Sequence, residues 1–545
     1  MVVSGSFFGT DGIRGETSLA VVDEEEAMLM LEEQRTLTPA FMRVLGEALS
    51  HVQPAMPGTG ETVVIGWDRR PHNPELVAAL TLGLRLTGSR AVHVGECATP
   101  TLHHAVLAFG ARMGCMITAS HNPVSDSGIK VFDAHGYKSS PELEADISRT
   151  LRQLACEDRE VDRTDLEAMA QPDEGHDAWA ERTHREMLTA RWATFATEFG
   201  GCAAAVDNGR IASPFLLDTA GGFGRTWLAD FLTEHGVVTE DVSRAAVVLN
   251  EGCGAGDFSP TQTWSHEEAH ASNHALIQQL TPAPAGRLVG AALDGDGDRC
   301  LFIEATETGF AVVDGDGMAA RLMGAASSSA WRFAASIESD VALPGHVQAL
   351  DSSSATDETA VGDRWLAYTL RPEDGGLLNA PTMPPQLGVE DSGHLILPAP
   401  HPLQEGTWSL VGDGAATLCA VLNALDRPAP FPFERGWKKR ISIPDTVRER
   451  WHNEAAVFEA ARGRIVERLS ERWTKVERRA APGEPHLLLM HAETNGKVAS
   501  IGIRNSGTQA KTSLSIRLSA EVDRTPFEAL LDELVALLTP VLCDA

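Results

Sequence analysis

Positive charge is what this chain lacks most: 76 Asp and Glu face 45 Lys and Arg, a formal net charge of −31 over 545 residues. A field of that sign repels DNA, RNA and anionic membranes, so any anionic substrate has to be met by a local cluster of Arg and Lys. Paired cysteines are missing as well. The eight cysteines, at 97, 115, 156, 202, 253, 300, 419 and 543, include no Cys-x-x-Cys, which favours reduced structural thiols over a disulfide framework or zinc site. No apolar run approaches the ~20 residues of a membrane span, and the opening MVVSGSFFGTDGIRG has no basic and apolar signal. The expectation is a cytoplasmic protein without nucleic-acid or membrane partners. What the chain does have is length and apolar material: 43% apolar residues can bury several cores, and ~100–200 residues per domain predicts three to five domains.

The stretch Met116 to Phe132, MITASHNPVSDSGIKVF, organises the rest. The run Arg112 to Ile117 reads as a buried strand ending at Thr118-Ala119-Ser120-His121-Asn122-Pro123, so Ser120 stands on a loop at a strand's carboxyl end, where ligands of open α/β sheets bind. Gly128 lets the chain turn before Ile129 to Phe132 returns as a second strand, which brings Lys130 back beside Ser120. By composition alone the same residues also make an ordinary polar turn.

Four other loops carry chemistry. In Phe7 to Gly15 (FFGTDGIRG) the Arg14 fork matches phosphate oxygens, although Arg14 can equally pair with Asp11. An apolar strand, Leu288 to Leu293, delivers Asp294-Gly295-Asp296-Gly297-Asp298-Arg299: three carboxylates at alternate positions, with glycines that let the loop wrap, supply hard oxygen ligands for Mg²⁺. An EF-hand is excluded, because Arg299 stands at its sixth position and Ala305 at its twelfth. A solvated acidic turn is the other reading. In Leu387 to His394 (LGVEDSGH), Glu390 and Ser392 can bind two hydroxyls, while a His such as His394 is, out of context, more often structural. Arg504-Asn505-Ser506-Gly507-Thr508 offers a guanidinium, two hydroxyls and turn amides, either a phosphate cradle or a polar hairpin. The glycine-rich turn after Asp218 lacks the third glycine of a dinucleotide fingerprint, since Trp227 stands there, and a nicotinamide cofactor is discarded.

Thr118 to Pro123 resembles the active-site serine loop of the α-D-phosphohexomutases, and the other loops follow in that family's order over most of the chain. FGTDGIRG at the start, Asn250-Glu251-Gly252-Cys253-Gly254 and Thr359 to Trp365 (TAVGDRW) look like the phosphoglucosamine mutase branch in particular. Departures are Gly221 for the family's Asn, Ala-Gly-Asp-Phe after Gly254, and Gln509 for an acidic residue. The resemblance implies a Mg²⁺-dependent intramolecular phosphotransferase acting on a sugar phosphate through phosphorylated Ser120, with a sugar 1,6-bisphosphate as intermediate and activator. It implies a catalytic set of Ser120, His121, Lys130, His394 and Arg14. The metal would be held by Ser120, Asp294, Asp296 and Asp298, and substrate by Arg299, Arg364, Glu390, Ser392, Arg504, Asn505, Ser506, Gly507 and Thr508. Glucosamine 6-phosphate and glucosamine 1-phosphate are the implied pair. The alternatives are a phosphomannomutase or phosphoglucomutase of the same family, or an inactive sugar-phosphate-binding paralogue. A serine hydrolase is disfavoured, because the adjacent Ser120 and His121 do not suit a triad and no G-x-S-x-G is present.

The expected architecture is α/β: three similar α/β domains with mixed, helix-covered sheets at 1–150, 213–310 and 311–430, then a smaller α+β domain at 436–545. Residues 151–212, where apolar periodicity is lost, read as a linker and helical insertion, and 19–34 as a helix-prone insertion. A charged helix is expected from Arg448 to Ser470, and the basic patch Arg435 to Arg440 as a hinge. A monomer or homodimer is expected.

Overall fold

The computed structural model describes residues 7–52, 60–157, 169–172, 177–506 and 510–543. One backbone pattern is used three times. Met113–Ile117 runs parallel to Thr62–Trp67 and returns antiparallel as Asp126–Asp133. Leu288–Leu293 runs parallel to Ile211–Asp218 and returns as Cys300–Ala305. Gln386–Val389 runs parallel to Arg332–Ser336 and returns as Leu395–Pro400. Each trio lies inside a six-stranded mixed sheet covered by helices, whereas the last sheet, five strands between Trp437 and Leu518, is antiparallel throughout. The fold is therefore α/β with a smaller α+β unit at the end.

This repetition positions the site. In each of the first three sheets the chain leaves a buried parallel strand at its carboxyl end and comes straight back beside it. Those three turns carry Ser120, Asp294 to Asp298, and Glu390 to His394. The strands before them are buried on both faces: Met113, Cys115, Met116 and Ile117 are no more than 1% exposed, as are Ala291 and Ala292. Each Ile or Leu so buried contributes roughly 1.5–3 kcal/mol, so the loops hang from the stiffest part of the molecule. In the last sheet the chain likewise turns between Lys497–Asn505 and Lys511–Leu518, just beyond Arg504.

Two local expectations change. Gly128 sits within the return strand with no positive φ. It is required because a Cβ there would collide with the carbonyl oxygen of Ile13 in the neighbouring strand. The charged helix of the last unit begins at Ala456, after a short 3-10 turn at Arg448–Arg450, and ends at Leu469. The stretch read as a linker and helical insertion contains a long helix, Asp177–Phe199, whose buried residues Ala180, His184, Met187, Leu188, Arg191, Phe195 and Phe199 form a stripe along one side. A His and an Arg inside the stripe hide it from an apolar pattern. Both are used: Thr101 Oγ1 lies 2.8 Å from His184 Nδ1, and Arg191 Nη1 donates to Asp413 Oδ2 at 2.6 Å, tying the first unit to the third. The insertion at 19–34 forms the helix Glu24–Gln34, capped by Asp23. The basic patch docks the last unit on the third, with Lys438 Nζ 2.6 Å from Asp391 Oδ2 and 3.2 Å from Asp316 Oδ2, and Arg435 paired with Asp314. Among the described residues no helix is long and apolar enough to cross a membrane.

Candidate active site

Ser120 has φ of 56°, a left-handed conformation unusual for a residue with a Cβ, so its surroundings must enforce it. They do so through polar groups. Its amide donates to Thr118 Oγ1 at 2.8 Å, and that hydroxyl donates to Asp68 Oδ2 at 2.6 Å. Its carbonyl accepts from Arg70 Nη2 and from Asn250 Nδ2, both at 2.8 Å. Arg70, itself buried, also donates to the carbonyls of Asn122 (3.0 Å), Pro123 (2.5 Å) and Asp126 (2.7 Å), while Asp68 receives its Nε at 3.1 Å. Asn73 fixes Asp68 in turn, donating to Oδ1 at 2.7 Å. The Asn250 loop thus braces the serine loop from the second unit. Its unusual continuation has a steric reason: Gly256 packs on His121, and a Cβ there would lie 2.6 Å from that of His121.

Thus held, the Ser120 hydroxyl donates to Asp294 Oδ2 at 2.8 Å. Carboxylate oxygens of Asp294, Asp296 and Asp298 lie within 4.8 Å of one another, all buried. Lys130 Nζ reaches Asp296 Oδ2 and Asp298 Oδ2 at 2.6 Å each, and Thr99 Oγ1 donates to Asp296 Oδ2 at 2.6 Å. Asp296 Oδ1 is buried with no hydrogen-bond partner among the described residues. Burial, then Asp298 and Asp296, push the Asp294 carboxyl up to about 7. Burial also works against charge on Asp298, but Lys130 and His394 outweigh it and hold that carboxyl well below its usual range. A second layer of charge surrounds the first: Lys138 Nζ joins Asp11 Oδ1 at 2.8 Å to Asp363 Oδ1 at 2.7 Å, and Lys130 Nζ lies 3.3 Å from Asp11 Oδ2.

Above this buried cluster opens a cavity of about 630 Å³. Arg14, His121 and Arg299 line its floor, Glu390, Ser392 and His394 one wall, and Arg504 and Ser506 the far end with Arg440 and Lys511. Arg14 donates to Asp11 Oδ2 at 3.1 Å and to the carbonyl of Ala119 at 3.3 Å, so it both pairs with Asp11 and borders the serine loop. Arg299, then burial and Arg14, push His121 down to about 2, which keeps its imidazole neutral. For His394 burial opposes protonation, but Asp298, 2.9 Å from Nε2, raises it to about 9. Its Nδ1 is 3.1 Å from Glu390 Oε2, and Glu390 Oε1 accepts from the Gly362 amide at 2.8 Å. At the far end a single oxygen, Glu338 Oε1, accepts from Arg440 Nη1 at 2.8 Å and Arg504 Nη2 at 3.1 Å.

Two residues assigned to substrate from the sequence are used otherwise. Arg364 does not line the cavity: it pairs with Glu144 at 2.5 Å and covers the Trp365 ring with its guanidinium carbon 5.0 Å from the centroid. The Asn505 amide donates to the carbonyls of Arg448 (2.9 Å) and Trp451 (3.2 Å), and its oxygen accepts from Thr512. Gly507, Thr508 and Gln509 lie outside the described residues.

Residues 5–156 match the family model described as phosphoglucomutase/phosphomannomutase, alpha/beta/alpha domain I. A phosphoglucosamine mutase of Frankia casuarinae is 30% identical over 422 residues, which cover 76% of this chain and 77% of that protein. The chain belongs to the α-D-phosphohexomutase family. A phosphoglucomutase/phosphomannomutase family protein from Burkholderia thailandensis shares the fold at TM-score 0.60 and 17% identity over 99% of each chain. So does the N-acetylphosphoglucosamine mutase of Aspergillus fumigatus, solved with GlcNAc-6P and magnesium, at TM-score 0.51 and 14% identity over 92% of this chain and 99% of that one. This phosphohexomutase is thus an isomerase acting on hexose phosphates.

The donor set suits a hard divalent cation: three buried carboxylates, one oxygen of Asp296 unpartnered among the described residues, and a serine oxygen 2.8 Å from the nearest carboxylate. What sequence reading missed is the support of the mutase's serine loop, Asp68, Arg70 and Asn73. The available signal was Asp68-Arg69-Arg70, charges placed directly after the apolar strand Thr62–Trp67. Arg70→Lys keeps the charge but loses the fork that spans several carbonyls. It is expected to lower kcat by about ten-fold or more, from misplacement of the reacting atom, with KM little changed; steady-state kinetics showing kcat within two-fold of the parent would dismiss this positioning role.

Proposed function

We propose that this mutase interconverts glucosamine 6-phosphate and glucosamine 1-phosphate through phosphorylated Ser120 and a sugar 1,6-bisphosphate. The observation that carries the reading is the Ser120 hydroxyl donating to Asp294, beside a cavity lined by Glu390, Ser392 and His394 and by Arg440 and Arg504. In this reading the phosphoserine O–P bond breaks as a sugar hydroxyl oxygen bonds to phosphorus, and the proton that the hydroxyl gives up ends on the released Ser120 oxygen, leaving the bisphosphate and free serine. The sugar then turns over, and its other phosphate returns to Ser120. Glu390 and Ser392 hold the ring hydroxyls, with Glu390 oriented by Gly362 and His394. Arg504 and Ser506 hold the idle phosphate, and Arg14 and Arg299 offset charge at the reacting one. One Mg²⁺, held by Asp294, Asp296, Asp298 and a serine phosphate oxygen, would supply neutralisation of the phosphoryl oxygens. Lys130 bonds to two of those carboxylates, Asp296 and Asp298, and helps hold Asp298 ionised. The glucosamine assignment is supported by the relatives of that name and by the three branch-like stretches.

Ser120→Ala removes one hydrogen bond, worth ~1 kcal/mol of stability, but it is expected to lower turnover by several orders of magnitude. Asp296→Asn, with one anionic ligand fewer, is expected to lose Mg²⁺ affinity and rate together. Near-parental turnover of the alanine variant would end the covalent mechanism, and full activity in excess chelator the metal's role.

The far end of the cavity gives a paired test. Loss of a charge-assisted contact of ~1.5–3 kcal/mol in Arg504→Ala is expected to raise KM about ten-fold or more. Glu338→Gln, which weakens an internal competitor for the same guanidinium, is expected to lower KM. Movement of KM in one direction for both variants would contradict a phosphate site there.

Substrate identity is decided by comparing kcat/KM for glucosamine 1-phosphate, N-acetylglucosamine 1-phosphate, glucose 1-phosphate and mannose 1-phosphate. Glucosamine 1-phosphate is expected to lead, and a clear preference for another sugar overturns the assignment while leaving the mutase chemistry standing.

A further inference from the structure

A cavity of about 520 Å³ lies at the end of the second sheet opposite the Asp294 loop, where Ile211–Asp218 and Leu288–Leu293 begin. The six residues of Leu288–Leu293 separate it from that loop by roughly 20 Å at ~3.3 Å per residue. Four arginines line it, Arg210, Arg287, Arg321 and Arg427, and no Asp or Glu is among its described lining residues. In a chain of net charge −31 that local excess needs a reason.

Among the described residues, one of the four has an ion-pair partner. Arg321 pairs with Glu304, and its Nη1 is nevertheless buried without a hydrogen-bond partner among the described residues. Arg210 donates to the carbonyl of Leu425 at 3.3 Å, and Arg427 to Ser327 Oγ (2.6 Å) and to the carbonyls of Glu198 (2.9 Å) and Ala325 (3.2 Å), so uncharged oxygens hold both guanidiniums in place. Arg287 has no side-chain hydrogen bond or ion pair among the described residues, and its Nε is buried. The backbone makes room for it: Gly209 has φ of 66°, and a Cβ there would lie 2.9 Å from Arg287 Nη2. The glycine therefore keeps an unpaired guanidinium against the cavity.

We propose that this cavity is a second anion site, for a small ligand carrying two or more phosphate groups. Guanidinium forks match phosphate oxygens in pairs, and three arginines without an ion-pair partner among the described residues call for more than one negative charge. No aromatic ring is among its described lining residues, so a stacked nucleobase is not selected, and its volume lies within the ~300–1,000 Å³ of small-ligand sites. The proposal does not depend on which sugar the catalytic cleft takes.

The test is calorimetric titration of the full chain with inorganic pyrophosphate at low salt, in the parent and in Arg287→Ala, Arg427→Ala and Arg504→Ala. The expected result is a binding event weakened about ten-fold or more by Arg287→Ala and by Arg427→Ala, untouched by Arg504→Ala, and weakened by added salt. Basal mutase activity of Arg287→Ala within two-fold of the parent reports that the variant is folded. Arg287→Lys, with charge but no fork, is expected to fall between. Three outcomes overturn the site: no pyrophosphate binding by the parent, all binding removed by Arg504→Ala, or binding in both Arg287→Ala and Arg427→Ala within two-fold of the parent.

Discussion

Carboxylates crowded out of water are the constraint on which this structure turns. Asp294, Asp296, Asp298, Asp363 and Glu390 are all buried beneath or beside one cavity. Each buried ion costs several kcal/mol in lost solvation, recovered only by close pairing. The pairing crosses between units: Lys130 of the first reaches Asp296 and Asp298 of the second, Lys138 of the first reaches Asp363 of the third, and His394 of the third reaches Asp298. The charge pattern that prepares the site therefore also fixes how three units sit around it. The divided response of the triad follows, with Asp298 held ionised by its cations while Asp294, next to the serine hydroxyl, is pushed towards neutrality.

A single backbone device brings these groups together. A parallel strand, a turn at its carboxyl end and an antiparallel return occur in each of the first three sheets, and each turn supplies one part: the serine, the carboxylates, and the Glu390–Ser392–His394 lining of the cavity. The strands before the turns are buried, so the turns inherit their rigidity, and the left-handed Ser120 is held by hydrogen bonds from both its own unit and the second. The last unit adds arginines at the cavity's far end and is fastened to the third by Lys438 and Arg435.

The parts legible in the sequence were those whose chemistry lies within a few consecutive residues. Thr118 to Pro123, Asp294 to Arg299 and Glu390 to His394 each bring their functional groups and turn residues together. Groups whose role depends on a distant partner were not legible. Arg70 becomes meaningful only when the fold lays it under carbonyls about fifty positions away, and Lys138 only when Asp11 and Asp363 converge on it. The converse also holds: a guanidinium serves a carboxylate as well as a phosphate, so Arg364 read as a substrate residue and is found on Glu144. The apolar period of helix Asp177–Phe199, expected only as a helical insertion, was hidden for a related reason, since its inward stripe includes His184 and Arg191.

All of this converges on one hydroxyl, so the most direct measurement is where phosphate resides on the protein. Incubation with Mg²⁺ and a sugar 1,6-bisphosphate, followed by peptide mass spectrometry, should find phosphate on Ser120 and on no other residue, and a chase with sugar monophosphate should remove it. Protein that turns over substrate while Ser120 stays unmodified throughout would contradict the account.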